Sequence, residues 1–245
     1  MRRCTDLAGV KAVARMLLFQ DIQPTAHAPV IVSHPFTSSG VVGLREANGN
    51  ITFGDLMGSP DDLARWRQMV GEQIDEADSA ISIFSLLNRS YYMAFIKYAA
   101  LYLSEENLGQ LLSNAWILNE TPNQDPNISK RELVSLFRSI SPQHLMDEEE
   151  LRRYQELDDP VTVYRGVTSY NAGNVRALSW TLERKTEEWF AHRFGEKGIV
   201  YKAQIPKKHI LAFFNNRGEA EVVLDPKHLE QVLESPKPEM GMRMT

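Results

Sequence analysis

The sequence predicts an α+β fold, with an N-terminal helical lobe followed by a β-rich core. Between residues 59 and 159, apolar side chains recur at a spacing near 3.6, which is typical of helices that bury one face. After Pro160 the period changes to an alternation of apolar and polar residues, which is typical of strands. With 245 residues, of which 43% are hydrophobic and 24% charged, the chain can bury a substantial core.

Residues 1–58 form a predicted N-terminal extension that carries a short β-hairpin. The dipeptide Asn48-Gly49 suits a tight turn, and residues 51–53 supply the returning strand. The apolar run near the N-terminus is interrupted by Lys11 and Arg15, and no small-residue cleavage site follows it. We therefore expect an amphipathic helix or a frayed leader at the N-terminus, and not a signal peptide.

The helical lobe is predicted for residues 59–159, as the first part of a domain that spans residues 59–234. Ser59 can cap the first helix, and Pro60 suits its first position. The most apolar run, residues 91–103, is too short to span a bilayer, so we expect a buried helix and no membrane contact. Helices are predicted at 60–77, 81–103, 105–119, 129–140 and 147–157.

The β core is predicted for residues 160–234, and residues 235–245 are expected to form a loose tail. The predicted elements are strands at 161–165, 177–181, 198–205, 209–214 and 219–224, with one helix at 183–194.

Composition restricts the classes of function that the chain can have. A net charge of −5 disfavours bulk DNA binding, although a local basic patch could still hold a nucleic acid. Because Cys4 is the single cysteine, we expect no disulfide within the chain, no thiol-based metal site and a reducing compartment such as the cytoplasm. The six histidines are scattered without a zinc-helix spacing, and the chain has no phosphate-binding glycine loop and no nucleophile elbow.

The first candidate motif is the pair of carboxylates at Glu219 and Glu221. Residues i and i+2 of a strand face the same side, so both side chains are predicted to project together. Like charges raise the pKa of one carboxyl group, and a fixed carboxylate stabilises the positive charge that forms when a glycosidic bond breaks. The structural alternative is the solvated face of an edge strand.

The second candidate motif is Arg165-Gly166, at the end of an otherwise apolar strand. A guanidinium matches two oxygens of a phosphate or carboxylate, and a glycine would let a ligand approach the backbone closely. A structural salt bridge from Arg165 is the alternative.

The third candidate motif is Ser179-Trp180-Thr181. The hydroxyls of Ser179 and Thr181 share a strand face and could orient a polar ligand or a catalytic carboxylate. The alternative is the wet side of a sheet, and Trp180 fits a core position better than a stacking platform.

Together these motifs resemble the Arg–Ser–Glu class of mono-ADP-ribosyltransferases, which includes bacterial toxins and vertebrate ecto-enzymes. That family has an arginine on its first core strand, a Ser-x-Ser/Thr motif on a second strand and Glu/Gln-x-Glu on a later strand. The resemblance covers residues 160–226, and residues 60–160 in outline. It implies an ADP-ribosyltransferase-like β-sandwich core and NAD as co-substrate, and the tryptophan inside the serine motif departs from the family pattern.

The resemblance also implies a role for each motif residue. Arg165 would bind the phosphates or the nicotinamide-side ribose of NAD, and the Gly166 backbone would meet the carboxamide. Ser179 would help set the NAD pocket and position Glu221, the catalytic glutamate, and Thr181 on the same strand face is a further candidate to bind NAD. Glu219 would position or deprotonate the acceptor, and the loop at 213–218 would recognise the target.

The acceptor is the point on which several hypotheses stay open. A glutamate at 219 goes with arginine acceptors in the family, so the resemblance favours a protein side chain over a nucleic acid. The alternatives are nucleic-acid modification by a toxin of a bacterial conflict system, hydrolysis of NAD by water, and a non-catalytic module that binds a partner. The protein could act in the cytoplasm or be delivered into a target cell, and an antitoxin or immunity protein is a further candidate partner.

Overall fold

The computed structural model describes residues 3–28, 30–46, 48–119, 122–169, 171, 174–192, 198–216 and 218–235. It confirms the α+β class, because helices and antiparallel sheets both contribute substantially to the chain. The chain divides into two compact units, Met1–Ser129 and Lys130–Thr245. Within the described residues, no helix is long and apolar enough to cross a membrane.

The first unit is built on helices whose apolar faces meet in one core. Its helices are α1 (Leu7–Leu18), α2 (Pro60–Glu76), α3 (Ala80–Ser85), α4 (Tyr92–Ala99) and α5 (Glu105–Leu118). Its strands are β1 (Gln23–Pro24), β2 (Ile31–His34), β3 (Thr37–Ser39), β4 (Val41–Arg45) and β5 (Ile51–Asp55). The predicted hairpin is confirmed, since β4 and β5 pair antiparallel across a turn in which Gly49 has a φ of 85°.

Helix starts in this unit follow the capping residues that the sequence shows. The Ser59 side chain accepts a hydrogen bond from the Asp62 amide, and Pro60 is the first residue of α2, as predicted. The single helix predicted at 81–103 is wrong, because α3 and α4 are separated by a loop and a 3₁₀ turn. That loop is fixed by Asn88, which donates from its amide N–H to the Pro35 carbonyl and from Nδ2 to the His34 carbonyl.

The predicted boundary between residues 58 and 59 does not coincide with the division between the units. Helix α1 packs on α2 and α4, and its apolar face is buried. Arg15 of α1 forms an ion pair with Asp75 of α2, and the Lys11 ammonium donates to the Asp75 carbonyl. Residues 1–58 and the helices that follow them therefore belong to one unit.

The second unit begins thirty residues before the predicted β core. Its helices are α6 (Lys130–Arg138), α7 (Pro142–Leu145), α8 (Glu148–Gln155) and α9 (Arg184–Ala191). The first three pack on strand β9, where the Phe213 amide lies 3.2 Å from the Met146 sulfur and the Tyr154 hydroxyl lies 3.3 Å from the Ile210 carbonyl. This packing places the helices of 130–155 in the same unit as the sheet.

One six-stranded sheet carries the candidate site. Its strands are β6 (Val161–Val167), β7 (Ser179–Thr181), β8 (Ile199–Ile205), β9 (Ile210–Phe214), β10 (Glu221–Leu224) and β11 (Glu230–Glu234). The order is β11-β8-β6-β7-β10-β9, and every neighbouring pair is antiparallel. Strands β6 and β7 share one residue pair, Tyr164 with Thr181, so two three-stranded halves meet there. The five predicted strands form, whereas β11 was not predicted.

Candidate active site

The three motif segments lie on adjacent strands at the centre of the sheet. Strand β6 carries Arg165, its neighbour β7 carries Ser179, and β10 begins at Glu221 on the other side of β7. In the antiparallel register of β7 and β10, Thr181 pairs with Glu221 and Ser179 with Val223. Side chains that lie 14 and 42 residues apart along the chain are thereby brought together.

Ser179 and Glu221 form the most direct contact of the site. The Ser179 hydroxyl donates to Glu221 Oε1 at 2.5 Å, a length typical of a strong bond from a hydroxyl to an ionised carboxylate. Both side chains are part-buried, so the carboxylate is held in one position while it remains partly accessible. The structure thus brings these two predicted site residues together.

Arg165 is buried, with 8% of its surface exposed. Its Nε donates to the Asn174 carbonyl at 3.2 Å and its Nη1 to the Ser179 carbonyl at 2.5 Å. Burial lowers the pKa of Arg165, while the nearby carboxylates of Glu187 and Glu221 act against that shift.

A structural salt bridge does not account for Arg165. Among the described residues, no carboxylate oxygen lies within 4 Å of its guanidinium, and its Nη2 makes no hydrogen bond. Beside it, the buried Nδ2 of Asn174 also lacks a partner in this part of the chain. Buried donors are normally satisfied, so the orphaned Asn174 Nδ2 beside the Arg165 guanidinium fits an anionic oxygen such as that of a phosphate.

From the sequence, Gly166 was expected to let a ligand approach the backbone closely. In the structure, it is helix α9 that occupies the space beside Gly166. A Cβ at this position would lie 2.7 Å from both the Glu187 carbonyl oxygen and Glu187 Oε2, and 3.0 Å from the Ala191 nitrogen. The Gly166 N–H donates to the Glu187 carboxylate, and its carbonyl accepts from Asn171 Nδ2 at 3.4 Å. Both polar groups expected to meet the carboxamide are therefore held by side chains in this structure.

Glu187 is a third carboxylate of the site, and the sequence interpretation missed it. It is 8% exposed, and burial is the main reason why its pKa is raised to about 7. The Gly166 N–H and Arg165 lower that pKa, whereas Glu221 and Glu219 raise it further. Glu187 lies four residues before Ala191, on the face of α9 that is buried, and only the docked helix identifies that face.

Glu219 is not the strand neighbour of Glu221 that the sequence predicted. It lies in a bend before β10, and the next residue, Ala220, has a left-handed φ of 44°. Alternation along a regular strand therefore does not apply between the two glutamates. Both carboxylates nevertheless act on the pKa of Glu187, so the bend still brings negative charge to the same place.

Thr181 stabilises that bend, and this corrects its predicted position in the ligand pocket. It is 2% exposed, and its hydroxyl donates to the Glu219 carbonyl and lies 3.2 Å from the Ala220 carbonyl. The same oxygen accepts from the Glu183 amide at 3.0 Å. With these partners the Thr181 side chain holds backbone and offers little to a ligand, whereas Ser179 on the same strand face holds the carboxylate of Glu221.

The remaining aromatic residues of the motifs and of the loop at 213–218 are buried. Trp180 is 1% exposed and its indole N–H donates to the Ala177 carbonyl at 3.0 Å, as expected of a core residue. Phe213 and Phe214 are buried, so neither supplies an exposed aromatic side chain to the loop at 213–218. Arg217 of that loop lies outside the described residues.

A buried glutamate of α8 holds the start of that loop. Glu150 Oε1 accepts a hydrogen bond from the Asn215 amide at 2.8 Å, and Asn215 Oδ1 accepts from the Ala220 amide at 3.1 Å. Burial raises the pKa of Glu150, which is 5% exposed. Glu150 and Asn215 therefore connect α8 to the residue that precedes Glu221.

The chain matches no family model, no curated protein and no solved structure. Within the described residues, no group of three or more histidine, cysteine, aspartate or glutamate side chains could hold a metal ion. The resemblance stated above therefore depends on the residues and their geometry alone.

Proposed function

We propose that this chain is an NAD-dependent mono-ADP-ribosyltransferase, and that the sheet of its second unit is an ADP-ribosyltransferase-like β-sandwich core. The observation that carries the proposal is the bond from Ser179 to Glu221 beside a buried arginine on the neighbouring strand. A fixed carboxylate and a buried guanidinium are the two groups that this reaction needs.

In the proposed mechanism, Arg165 binds the phosphates of NAD through Nη2, which donates to no partner among the described residues. The bond between nicotinamide and the ribose C1′ breaks, and its electron pair leaves with the nicotinamide. Glu221, held by Ser179, stabilises the positive charge that develops on the ribose. A nucleophilic atom of the acceptor then bonds to C1′, and Glu219 accepts its proton.

A macromolecular acceptor is part of the proposal, and a protein side chain, arginine, is the favoured one. Labelled NAD incubated with the protein and a cell lysate tests this directly. Label that protease removes and nuclease leaves supports a protein acceptor, whereas the reverse pattern identifies a nucleic acid. Release of nicotinamide with no labelled macromolecule identifies water as the acceptor.

The contacts of Gly166 favour a second candidate, a module with this fold that binds a partner without catalysis. Its N–H and carbonyl, which the family resemblance assigns to NAD, are held by Glu187 and Asn171. Calorimetric titration with NAD separates the two candidates. If the wild-type chain binds NAD and Arg165→Ala does not, the result supports the enzyme. If the wild-type chain does not bind NAD, the result supports the non-catalytic module.

A further inference from the structure

A concave surface lies in the second unit, between α6 and the turn that follows β10. It encloses about 610 Å³, which falls in the size range of pockets for small ligands. We call it the α6 pocket and define it by its four cationic side chains, Lys130, Arg131, Arg138 and Lys227, together with Asp225.

The charge of the α6 pocket is opposite to that of the whole chain. Four cations and one acid line it, whereas the chain has a net charge of −5. The acid is already compensated, because Asp225 Oδ2 lies 2.7 Å from Arg138 and 3.7 Å from His228 Nε2. The other cations are not paired with Asp225, so the pocket attracts an anion.

Lys130 is held in place by neutral groups. Its ammonium donates to Asn174 Oδ1 and lies 3.1 Å from the Arg176 carbonyl, and neither contact neutralises its charge. Burial and the positive charge of Arg165 lower the pKa of Lys130. Two cations kept close together in this way are stabilised by an anion that binds between or beside them.

Asn174 connects this lysine to Arg165. Its carbonyl accepts from Arg165 Nε at 3.2 Å, its Oδ1 accepts from Lys130, and its buried Nδ2 has no partner within the described residues. The contact with Lys130 fixes which end of the amide is the oxygen. Asn174 thus links Lys130, which lines the α6 pocket, to Arg165 of the candidate site.

Part of the wall of the α6 pocket is apolar. Val134 and Pro226 line it, and its volume exceeds what a bare phosphate group would fill. Apolar surface beside converging cations is the combination that a nucleoside phosphate matches, with its base against the wall and its phosphates on the cations.

We propose that the α6 pocket binds a nucleoside diphosphate, either as a free nucleotide or as the ADP half of a dinucleotide. This proposal does not depend on transferase activity, and ADP binding without any transfer would leave it intact.

Calorimetric titration of the full chain with ADP tests the proposal. Arg131 and Lys227 are exposed, so the double variant Arg131→Ala/Lys227→Ala should fold, which circular dichroism checks. We expect its affinity for ADP to fall by about tenfold or more, because two charge-assisted contacts are lost. The control variant Lys185→Ala/Lys202→Ala removes the same charge from exposed positions elsewhere in the unit and should bind ADP as the wild type does.

Competition identifies the source of the ligand. If NAD displaces ADP, the proposal is supported and the occupant is the ADP half of NAD. If NAD leaves ADP binding unaffected, the proposal is supported and the occupant is a free nucleotide. The proposal is overturned if ADP fails to bind, if the Arg131→Ala/Lys227→Ala variant binds it unchanged, or if inorganic phosphate binds as tightly as ADP. Binding of a short single-stranded oligonucleotide in place of ADP would also overturn it, in favour of a nucleic-acid site.

Discussion

At the level of single residues, Glu187 makes the stability of the protein depend on pH. Its carboxyl group is buried between Gly166 and the charges of Arg165 and Glu221, and its pKa is raised to about 7. In the unfolded chain the pKa is near the ordinary value of about 4.5. Between these two values the folded state binds more protons than the unfolded state, so the free energy of unfolding falls as the pH rises from about 4.5 through about 7.

Replacing Glu187 with glutamine should remove this pH dependence. Glutamine still accepts from the Gly166 N–H but does not ionise. The free energy of unfolding of the wild type should decrease between pH 5 and pH 8 by on the order of 3 kcal/mol more than that of Glu187→Gln. Urea titrations at both pH values measure the difference, with the exposed Glu230→Gln as control. Parallel pH profiles for the wild type and Glu187→Gln would contradict the assignment.

Gly166 gives a second prediction at this scale. An alanine there would bring its Cβ within 2.7 Å of the Glu187 backbone carbonyl, so α9 or β6 must shift. We expect Gly166→Ala to lower the free energy of unfolding by about 1–3 kcal/mol. Gly71→Ala in α2 is the contrasting variant, since its Cβ would lie no closer than 3.5 Å to a neighbour and alanine favours a helix. A Gly166→Ala variant as stable as the wild type would show that α9 does not need the glycine.

At the scale of elements, α8 holds the loop that leads to Glu221. Removing the Glu150 carboxylate leaves the Asn215 amide without its 2.8 Å partner. We expect faster hydrogen exchange at that amide in Glu150→Ala and a several-fold slower transfer reaction. Glu149→Ala, an exposed change on the same helix, should alter neither quantity. Unchanged hydrogen exchange at the Asn215 amide in Glu150→Ala would show that α8 does not hold this loop.

The elements also show which information the sequence carries. Helix starts at Ser59 and strands with clear alternation were predictable, because caps and periodicity are local properties. The break between α3 and α4 was not, because the Asn88 contacts that fix it come from residues more than 50 positions away. Strand β11 is largely exposed and polar, so its apolar signal is weak.

Within the site, the partnership of Arg165, Ser179 and Glu221 could be predicted from motif order, since strand pairing brings such segments together. The bend at Glu219 could not, because it depends on the left-handed conformation of Ala220. Glu187 was missed because a helix shows which face is buried only once it has docked on the sheet.

At the scale of the whole molecule, the division at Ser129 and Lys130 predicts where the chain can be cut. The second unit contains its own sheet together with the helices α6–α8 that pack on β9. We expect the fragment 130–245 to unfold cooperatively on heating, as followed by circular dichroism. If the fragment 160–245 unfolded with the same midpoint temperature, the helices α6–α8 would contribute nothing to the stability of the second unit.

In the proposed function, Glu221, held by Ser179 next to Arg165, stabilises the ribose cation that forms when the glycosidic bond of NAD breaks. The rate of nicotinamide release from NAD tests it most directly, because it needs no knowledge of the acceptor. We predict release by the wild type and by Glu230→Gln, and a rate at least about 100-fold lower for Glu221→Gln, because a carboxamide cannot stabilise the ribose cation as a carboxylate does. Equal release by the wild type and Glu221→Gln, or no release by the wild type in the presence of cell lysate, would contradict the claim.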